Sequence, residues 1–276
     1  MPVAWLSKMS NEHVLICVAW PFAKGPLHLG HVAGCYLPPD IQFRYERAKG
    51  NRVLLVSGSD EHGTPITVTA EQLGVSPQDI IDKYHAINSR ALLDLGCKWE
   101  PNIDSRGAEY GGALFNRTSD PQHEKYVQEN FLNLLQAGLF ERKTMQQYYE
   151  VRPEGGRFLP DRYIEGTCPH CAYTEARGDQ CEDCGRTLDP EELVDPRSKI
   201  SGATPELRTT EHFYLRLSEF GDELGDWLDG REGWRRHVLN FSKGWIEEGL
   251  QDRAITRDLD WGVSVPVDDF GEGKRI

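Results

Sequence analysis

The sequence has no long hydrophobic run. The longest, residues 14–20, is seven residues long, far short of the ~18 consecutive apolar residues that a membrane-spanning helix needs. The N-terminus also lacks the apolar core and small-residue cleavage site of a signal peptide. We therefore expect a soluble, cytoplasmic protein that does not associate with a membrane.

An excess of positive charge is missing as well. The 276 residues include 31 Lys and Arg against 44 Asp and Glu, a net charge of −13; residues 1–126 contribute −2 and residues 127–276 contribute −11. Proteins that bind nucleic acid over a broad surface present a basic face to the phosphates. This composition excludes that class, unless the binding surface is local or lies elsewhere. The 38% hydrophobic share allows a sizeable core and excludes a disordered chain.

The order of apolar and amphipathic segments predicts an α/β fold. Residues 14–20 and 53–56 are continuous apolar runs, typical of parallel strands buried on both faces. Helical patterns cover residues 29–48, 64–73 and 77–95, the last with Ser76 as its cap. Strand, helix, strand and helix at this spacing predict a doubly wound parallel sheet.

The second part of the chain has a different texture. A helix is expected near residues 124–137, short strands and turns over 139–200, and helices again over 205–250, with several aromatic residues. We interpret this as a Rossmann-type domain interrupted by a connective insertion. The predicted domains are residues 1–125 (first half of the Rossmann domain), 126–250 (insertion) and 251–276 (return towards the Rossmann domain).

Four cysteines in the insertion form the strongest local motif. Cys168 and Cys171, and then Cys181 and Cys184, make two Cys-x-x-Cys pairs separated by nine residues. Four thiolates at this spacing suit one tetrahedral zinc ion. Incidental or redox-active cysteines, or iron instead of zinc, are the alternatives. A site closed by four thiolates has no open position, so the predicted zinc knuckle, about residues 165–187, is structural.

Two histidines follow the first strand. His28 and His31 open the first predicted helix and lie on one face of it, with Gly30 between them. The free N–H groups and the positive end of the dipole at a helix start attract anions, so this turn suits the phosphates of ATP. The phosphate-binding loops GxxxxGK[ST] and GxGxxG are both absent. A metal-binding pair or two solvated histidines are equally compatible with the motif alone.

An acidic pair follows the second strand. Asp60 lies where the carboxyl ends of parallel strands bind ligands, and its carboxylate could pair with an ammonium group. The alternative is an acidic stretch next to a helix cap near Thr64.

Taken together, these motifs resemble the methionyl-tRNA synthetase family of class I aminoacyl-tRNA synthetases. The family's His-Ile-Gly-His signature is here His-Leu-Gly-His, and several further motifs follow in family order over nearly the whole chain. They are the segments at residues 19–31, 58–65, 158–168, 201–205, 211–213 and 256–258.

The resemblance implies a function and a set of roles. Methionine and ATP, with Mg²⁺, would give methionyl-adenylate, and the methionyl group would then pass to the acceptor end of tRNA(Met). The implied roles are phosphate and transition-state contacts for His28 and His31, adenine packing for Gly30, the methionine ammonium for Asp60, the methionine pocket for Ala19, Trp20 and Phe22, and carboxylate or phosphate charge for Arg257.

The sequence also departs from the family pattern. Phe22 replaces the family's usual Tyr, and Ser264 replaces a Pro. The family's pocket Trp segment, its lysine loop and its anticodon-binding domain are expected beyond Ile276, so we expect an N-terminal fragment that is incomplete for catalysis. Two alternatives are a sibling synthetase for valine, isoleucine or leucine, and an inactive zinc-knuckle binding module.

Overall fold

The computed structural model describes residues 12–97, 99, 112–153, 155–270 and 273–276. The chain divides into two compact units. The first is Met1–Val127 with Trp261–Val263, and the second is Gln128–Asp260 with Ser264–Ile276. Within the described ranges, no helix has both the length and the apolar character to cross a membrane.

The first unit is built on a parallel sheet. Its strands are β1 (His13–Cys17), β2 (Arg52–Ser59) and β3 (Gly112–Arg117), in that order across the sheet. Val14 pairs with Val53 and Leu54 with Gly112, both in parallel register. The predicted α/β class with a parallel sheet is confirmed.

The helices of the first unit agree closely with the sequence patterns. They are α1 (Leu29–His31), a π-helical turn (Val32–Tyr36), α2 (Leu37–Ala48), α3 (Thr64–Leu73) and α4 (Pro77–Asp94). Ser76 caps α4 in a reciprocal pair with Asp79. The π-helical turn was not predicted. It precedes Pro38 and Pro39, which have no N–H to donate to the preceding turn, so the regular hydrogen-bond ladder cannot continue there.

The prediction that the first strand is buried on both faces is wrong. Leu15 is 62% exposed and Cys17 is exposed, while Val14 and Ile16 pack against the core. β1 is an edge strand of the sheet that the structure describes, whereas β2 lies between two neighbours and buries Leu55 completely. A continuous apolar run does not reveal which strand lies at an edge.

The second unit contains two larger sheets and a two-stranded ribbon. The strands are β4 (Phe140–Glu150), β5 (Arg157–Phe158), β6 (Ile164–Thr167), β7 (Ala176–Arg177), β8 (Val194–Ser198), β9 (Glu206–Leu215), β10 (Arg253–Ala254), β11 (Arg257–Asp258) and β12 (Lys274–Arg275). One sheet has the order β10-β9-β4-β5, the other has the order β7-β6-β8, and β11 pairs with β12.

Helices complete the second unit. α5 (Pro121–Gln136) crosses the boundary between the two units, and α6 (Gly221–Asp229) and α7 (Arg236–Glu247) follow β9. Short 3₁₀ turns cover Asp161–Tyr163, Pro190–Glu192 and Leu217–Phe220. The unit has an aromatic core of Phe131, Phe140, Phe213 and Phe270.

The prediction of helix from residue 205 onward is wrong for β9. This strand pairs antiparallel with β4 from Phe140 opposite Leu215 to Tyr149 opposite Glu206. Its Thr209, Thr210 and Phe213 are residues that fit a pleated surface well. The partner strand is some 60 residues away in sequence, so the pairing that decides the conformation is invisible to local patterns.

Candidate functional site

The histidine turn is built as a reciprocal helix cap. His28 is the N-cap of α1, and its Nδ1 accepts hydrogen bonds from the backbone N–H of Gly30 at 3.1 Å and of His31 at 3.4 Å. In return, Nδ1 of His31 accepts from the backbone N–H of His28 at 3.3 Å. The two rings stack with centroids 3.8 Å apart. The sequence therefore places both rings side by side at the start of a helix.

This cap fixes the chemistry that the rings offer. Because Nδ1 of each ring accepts a hydrogen bond, the proton of each neutral ring lies on Nε2, which is the free donor. Burial, together with the neighbouring His28 ring, lowers the pKa of His31, which favours its neutral form. The turn thus presents two Nε2–H donors beside the N-terminal end of a helix, an arrangement suited to phosphate oxygens.

Gly30 is needed by the cap itself. A Cβ at this position would lie 3.0 Å from Cε1 and 3.1 Å from Nδ1 of His28, tighter than ordinary contact. An alanine would therefore push against the capping ring. The expected contact of Gly30 with adenine stays a prediction.

The residues expected around methionine lie together at the carboxyl end of β2. Phe22 and Asp60 form an isolated parallel bridge, in which the N–H of Ala23 donates to Asp60 O at 2.8 Å and the N–H of Asp60 donates to Pro21 O at 2.8 Å. Phe22 is 44% exposed. This bridge fixes an aromatic side chain and a carboxylate next to each other.

Trp20 and Ala19 belong to the same loop. A Cβ on Gly58 would lie 2.5 Å from Cζ3 of Trp20, so the indole packs directly on the glycine backbone. The carbonyl oxygen of Ala19 accepts from Ser57 Oγ at 3.3 Å and from Tyr36 OH at 3.4 Å. The loop is therefore anchored at both of these predicted pocket residues.

The surroundings of the Asp60 carboxylate would favour binding of a positive charge. Burial raises its pKa, and the backbone N–H of His62 and the His123 ring oppose the rise. Over the part of the chain that the structure describes, no Lys or Arg forms an ion pair with it. An ammonium group would supply the missing counter-charge. The alternative, a helix N-cap near Thr64, also describes this segment, because α3 begins at Thr64 and its N-cap is Gly63, with φ +93° and no side-chain cap hydrogen bond.

The next residue, Glu61, anchors a buried network that the sequence analysis missed. Its carboxylate is completely buried and accepts two hydrogen bonds from Arg117 Nε, at 2.8 and 2.9 Å, and one from Ser119 Oγ. Arg117 also pairs with Asp82 at 2.6 Å. Burial raises the pKa of Glu61, against the effects of Ser119 and Arg117.

The backbone of Glu61 is held as firmly as its side chain. Its N–H donates to Thr118 Oγ1 at 2.8 Å, and its carbonyl oxygen accepts from Trp261 Nε1 at 2.7 Å. The signal for this network was present in the sequence, since Glu61 lies two residues after the end of β2 and Arg117 is the last residue of β3, its parallel neighbour. The carboxyl ends of such strands meet at one edge of the sheet.

The four cysteines come together as predicted. All four sulfur atoms lie within 4.8 Å of one another, with Cys168 and Cys184 at 3.9 Å and Cys171 and Cys181 at 3.6 Å. Tetrahedral Zn–S bonds of about 2.3 Å put sulfur atoms about 3.8 Å apart. The donor set and its spacing therefore fit a tetrahedral thiolate-bound metal.

The two cysteine turns have the same backbone design. The residue after each second cysteine, Ala172 or Gly185, has a positive φ of 61° or 73°. Its N–H donates to the carbonyl oxygen of the first cysteine of the pair, Cys168 at 3.0 Å and Cys181 at 2.9 Å. Each turn thus folds its two sulfur atoms towards one point.

Arg257 lies in the second unit, on β11. Its Nη1 donates to the carbonyl oxygens of Ala254 at 2.6 Å and Thr256 at 2.8 Å. Burial raises the pKa of Asp161, and the charge of Arg257 opposes this rise. A contact of Arg257 with substrate stays a prediction.

Two of the motifs that follow in family order meet around Asp258. His212 Nε2 lies 3.1 Å from Asp258 Oδ2, and Thr210 and Lys274 donate to the same carboxylate at 2.7 and 2.6 Å. Burial opposes the charge on Asp258, but these partners outweigh it and keep the pKa below its usual range. The network joins β9, β11 and β12.

The chain is similar to known proteins over nearly its whole length. The profile of a family described as "tRNA synthetases class I (M)" matches residues 14–275. Methionine–tRNA ligase of Chlorobium luteolum is 49% identical over 266 residues, which are 96% of this chain and 35% of that protein. The ligase of Thermoplasma volcanium is 49% identical over 268 residues, 97% of this chain and 46% of that protein. The chain thus spans between a third and a half of the length of these relatives.

Solved structures share the fold. Mycobacterium tuberculosis methionyl-tRNA synthetase bound by methionyl-adenylate has a TM-score of 0.62 at 21% identity and covers 93% of this chain and 43% of its own. The leucyl enzyme of Agrobacterium radiobacter, in a ternary complex, has a TM-score of 0.55 at 22% identity, over 86% of this chain and 25% of its own. With the profile match over nearly its whole length, this chain belongs to the class I tRNA synthetase family of the methionine type.

Proposed function

We propose that this chain forms part of the catalytic region of a methionine–tRNA ligase. The proposal is carried by the agreement of two features. About half of the residues are identical to those of enzymes named methionine–tRNA ligase. The residues expected around methionine also lie together in space, near the carboxyl end of β2. The complete activity would require these residues and also the rest of the relatives' length, which this chain does not cover. We infer a cytoplasmic location, where tRNA is charged.

Methionine activation would use both the residues expected around methionine and the histidine turn. Asp60 would pair with the α-ammonium, and Ala19, Trp20 and Phe22 would contact the side chain, whose soft sulfur favours aromatic neighbours. His28 and His31 would donate from Nε2 to the ATP phosphates as charge develops on the α-phosphate, and Gly30 would lie under the adenine. Arg257 would support the carboxylate or phosphate charge.

Two metal ions belong to the proposal. Zinc would be held by Cys168, Cys171, Cys181 and Cys184 and would have a structural role, because four thiolates leave no open position. Magnesium would accompany ATP, and its charge would offset that of the phosphates. The acceptor end of tRNA(Met) is the proposed second substrate.

The test is amino-acid-dependent exchange of pyrophosphate into ATP. It should be run on residues 1–276 and on the longest open reading frame that contains them, with methionine, leucine, isoleucine and valine in parallel. We expect methionine alone to support exchange by the longer polypeptide. Loss of one donor to a developing charge lowers a rate by about 10²–10³, so His31→Ala should do so here. Asp60→Asn should instead raise the KM for methionine.

Two outcomes would overturn the proposal. Exchange with leucine, isoleucine or valine in place of methionine would assign another amino acid. Absence of exchange with all four amino acids, in a longer polypeptide that is folded and carries zinc, would leave only a metal-binding module.

A further inference from the structure

Asn88 is a buried polar residue that lies about 60 positions along the chain from the histidine segment but contacts it directly. It lies on α4, and its side chain is completely buried. Its Oδ1 accepts from the N–H of Leu27 at 3.0 Å, and its Nδ2 donates to the carbonyl oxygen of Gly25 at 3.2 Å. One amide side chain thus contacts the backbone on both sides of Pro26.

The amide of Asn88 supplies hydrogen-bond partners to the backbone of this loop. Pro26 has no N–H to donate, and the flanking Gly25 and Leu27 are half-buried. Buried backbone groups need hydrogen-bond partners, and the amide of Asn88 supplies one donor and one acceptor, as a neighbouring peptide unit in a sheet would. The segment just before the histidine turn is therefore held by α4.

The position of the segment determines the position of the rings. Leu27 directly precedes His28, whose Nδ1 caps α1, and the stacked ring of His31 depends on the same cap. A shift of the peptide at residue 27 would move the cap residue and both Nε2 donors with it. A displacement of about 1 Å of a catalytic group is enough to lower a rate about 10²-fold.

We propose that Asn88 is a positioning residue, which holds the backbone at Gly25 and Leu27 and thereby sets where His28 and His31 present their Nε2 donors to the phosphates of ATP. The phosphate part of this inference rests on the proposed function; the positioning of the histidine turn does not. The competing explanation is that Asn88 only joins α4 to a loop.

The first experiment measures structure alone, on residues 1–276. Amide hydrogen exchange is followed by NMR in the wild type, in Asn88→Ala and in Asn88→Asp. Ala removes both hydrogen bonds, whereas Asp keeps the acceptor for Leu27 but places an oxygen against the Gly25 carbonyl. Loss of a neutral hydrogen bond typically changes an opening equilibrium by about 2- to 10-fold. In Asn88→Ala we expect at least that increase at Leu27, and also at Gly30 and His31, whose N–H groups bond to His28.

Ser89→Ala is the matched control. Ser89 is the buried neighbour of Asn88 on α4, so this variant changes the same helix turn but keeps both hydrogen bonds of Asn88 to the loop. Exchange at Gly30 and His31 should stay at the wild-type rate in it. Unchanged exchange at Gly30 and His31 in Asn88→Ala, while Leu27 loses protection, would overturn the positioning role whatever the enzyme does.

The second experiment is a double-mutant cycle in the longer polypeptide. If Asn88 acts through the histidines, Asn88→Asp should lower the rate of pyrophosphate exchange about 10- to 100-fold and leave the KM for methionine within about twofold of wild type. His31→Ala should then lower the exchange rate by a clearly smaller factor in the Asn88→Asp background than in the wild type. Independent, multiplicative effects would overturn the proposal. If the wild type lacks exchange activity, the proposed function fails, and the hydrogen-exchange result alone then decides the positioning role.

Discussion

Single residues explain much of the site, and Gly58 shows why a small residue can be required. A Cβ at this position would collide with the backbone oxygen of Asn116 and lie 2.5 Å from Trp20 Cζ3. The neighbour is backbone on one side and the indole of an anchored loop on the other, so neither can move without a substantial cost in free energy.

We therefore expect Gly58→Ala to lower the free energy of unfolding by about 1–3 kcal/mol, as overpacked core sites do, and to raise the KM for methionine because Trp20 must move. Denaturant unfolding and methionine-dependent exchange measure the two effects. Gly34→Ala is the matched control, since nothing lies within 4 Å of its Cβ position. It should be neutral or slightly stabilising; an equal loss in both variants would contradict the packing explanation.

The half-buried imidazole of His85 makes stability depend on pH. Nδ1 of His85 lies 2.8 Å from Ser59 Oγ, and the ring stacks on Phe115. Burial, together with the charge of Arg117, lowers its pKa from 6.5 to about 4, against the opposing effect of Asp82. The unfolded chain therefore takes up this proton at a higher pH than the folded chain does.

It follows that the contribution of neutral His85 to stability is fully present above pH 6.5 and is lost as the pH falls towards 4. Because the ring is partly solvated and its charge is screened, the two pKa values set an upper bound of about 3 kcal/mol over that interval. We expect the free energy of unfolding of His85→Asn to fall less steeply than that of the wild type between pH 6.5 and 4, by urea titration at each pH. Parallel curves would show that the ring is protonated in the folded state.

At the scale of elements, the sequence predicted helices better than strands. The bounds of α3 and α4 follow from local signals such as Ser76 and the prolines at the first turns. Strand β9 was mistaken for helix because its conformation depends on β4, and the exposed face of β1 depends on its place at an edge. The cysteine cluster was predictable because its spacing alone nearly fixes its geometry, whereas the Glu61 network depends on which strands are adjacent.

The cysteine knuckle is the element whose stability should depend on a ligand. Removal of metal by a chelator should increase amide exchange in β6, β7 and β8 and leave β1, β2 and β3 unchanged, since metal binding supplies the folding free energy of such a segment. Elemental analysis should find one zinc per chain in the wild type and little in Cys184→Ser. Cys17→Ser, an exposed cysteine outside the cluster, should keep its zinc. Slow amide exchange in the knuckle after metal removal would contradict this prediction.

At the scale of the whole molecule, the path of the chain explains why some relations could not be predicted. The second unit begins within α5, and the chain returns to the first unit for only three residues, Trp261–Val263. There Trp261 bonds to the backbone of Glu61 and meets the His62 ring edge to face. The sequence predicted an interrupted α/β fold, but a contact between residues 200 positions apart leaves no local pattern. Family resemblance, which compares whole chains, supplied what periodicity could not.

The reciprocal cap of the histidine turn has a consequence for acid conditions. Each imidazole uses its unprotonated Nδ1 to hold the other's backbone, so each ring is part of the scaffold and also leaves its Nε2 donor free of the cap. Protonation of the His31 ring would add positive charge, which attracts anions, but would also remove the Nδ1 acceptor that bonds to the His28 N–H. Acid therefore has two opposing effects on this turn, and the strongest anion attraction would coincide with the least ordered cap.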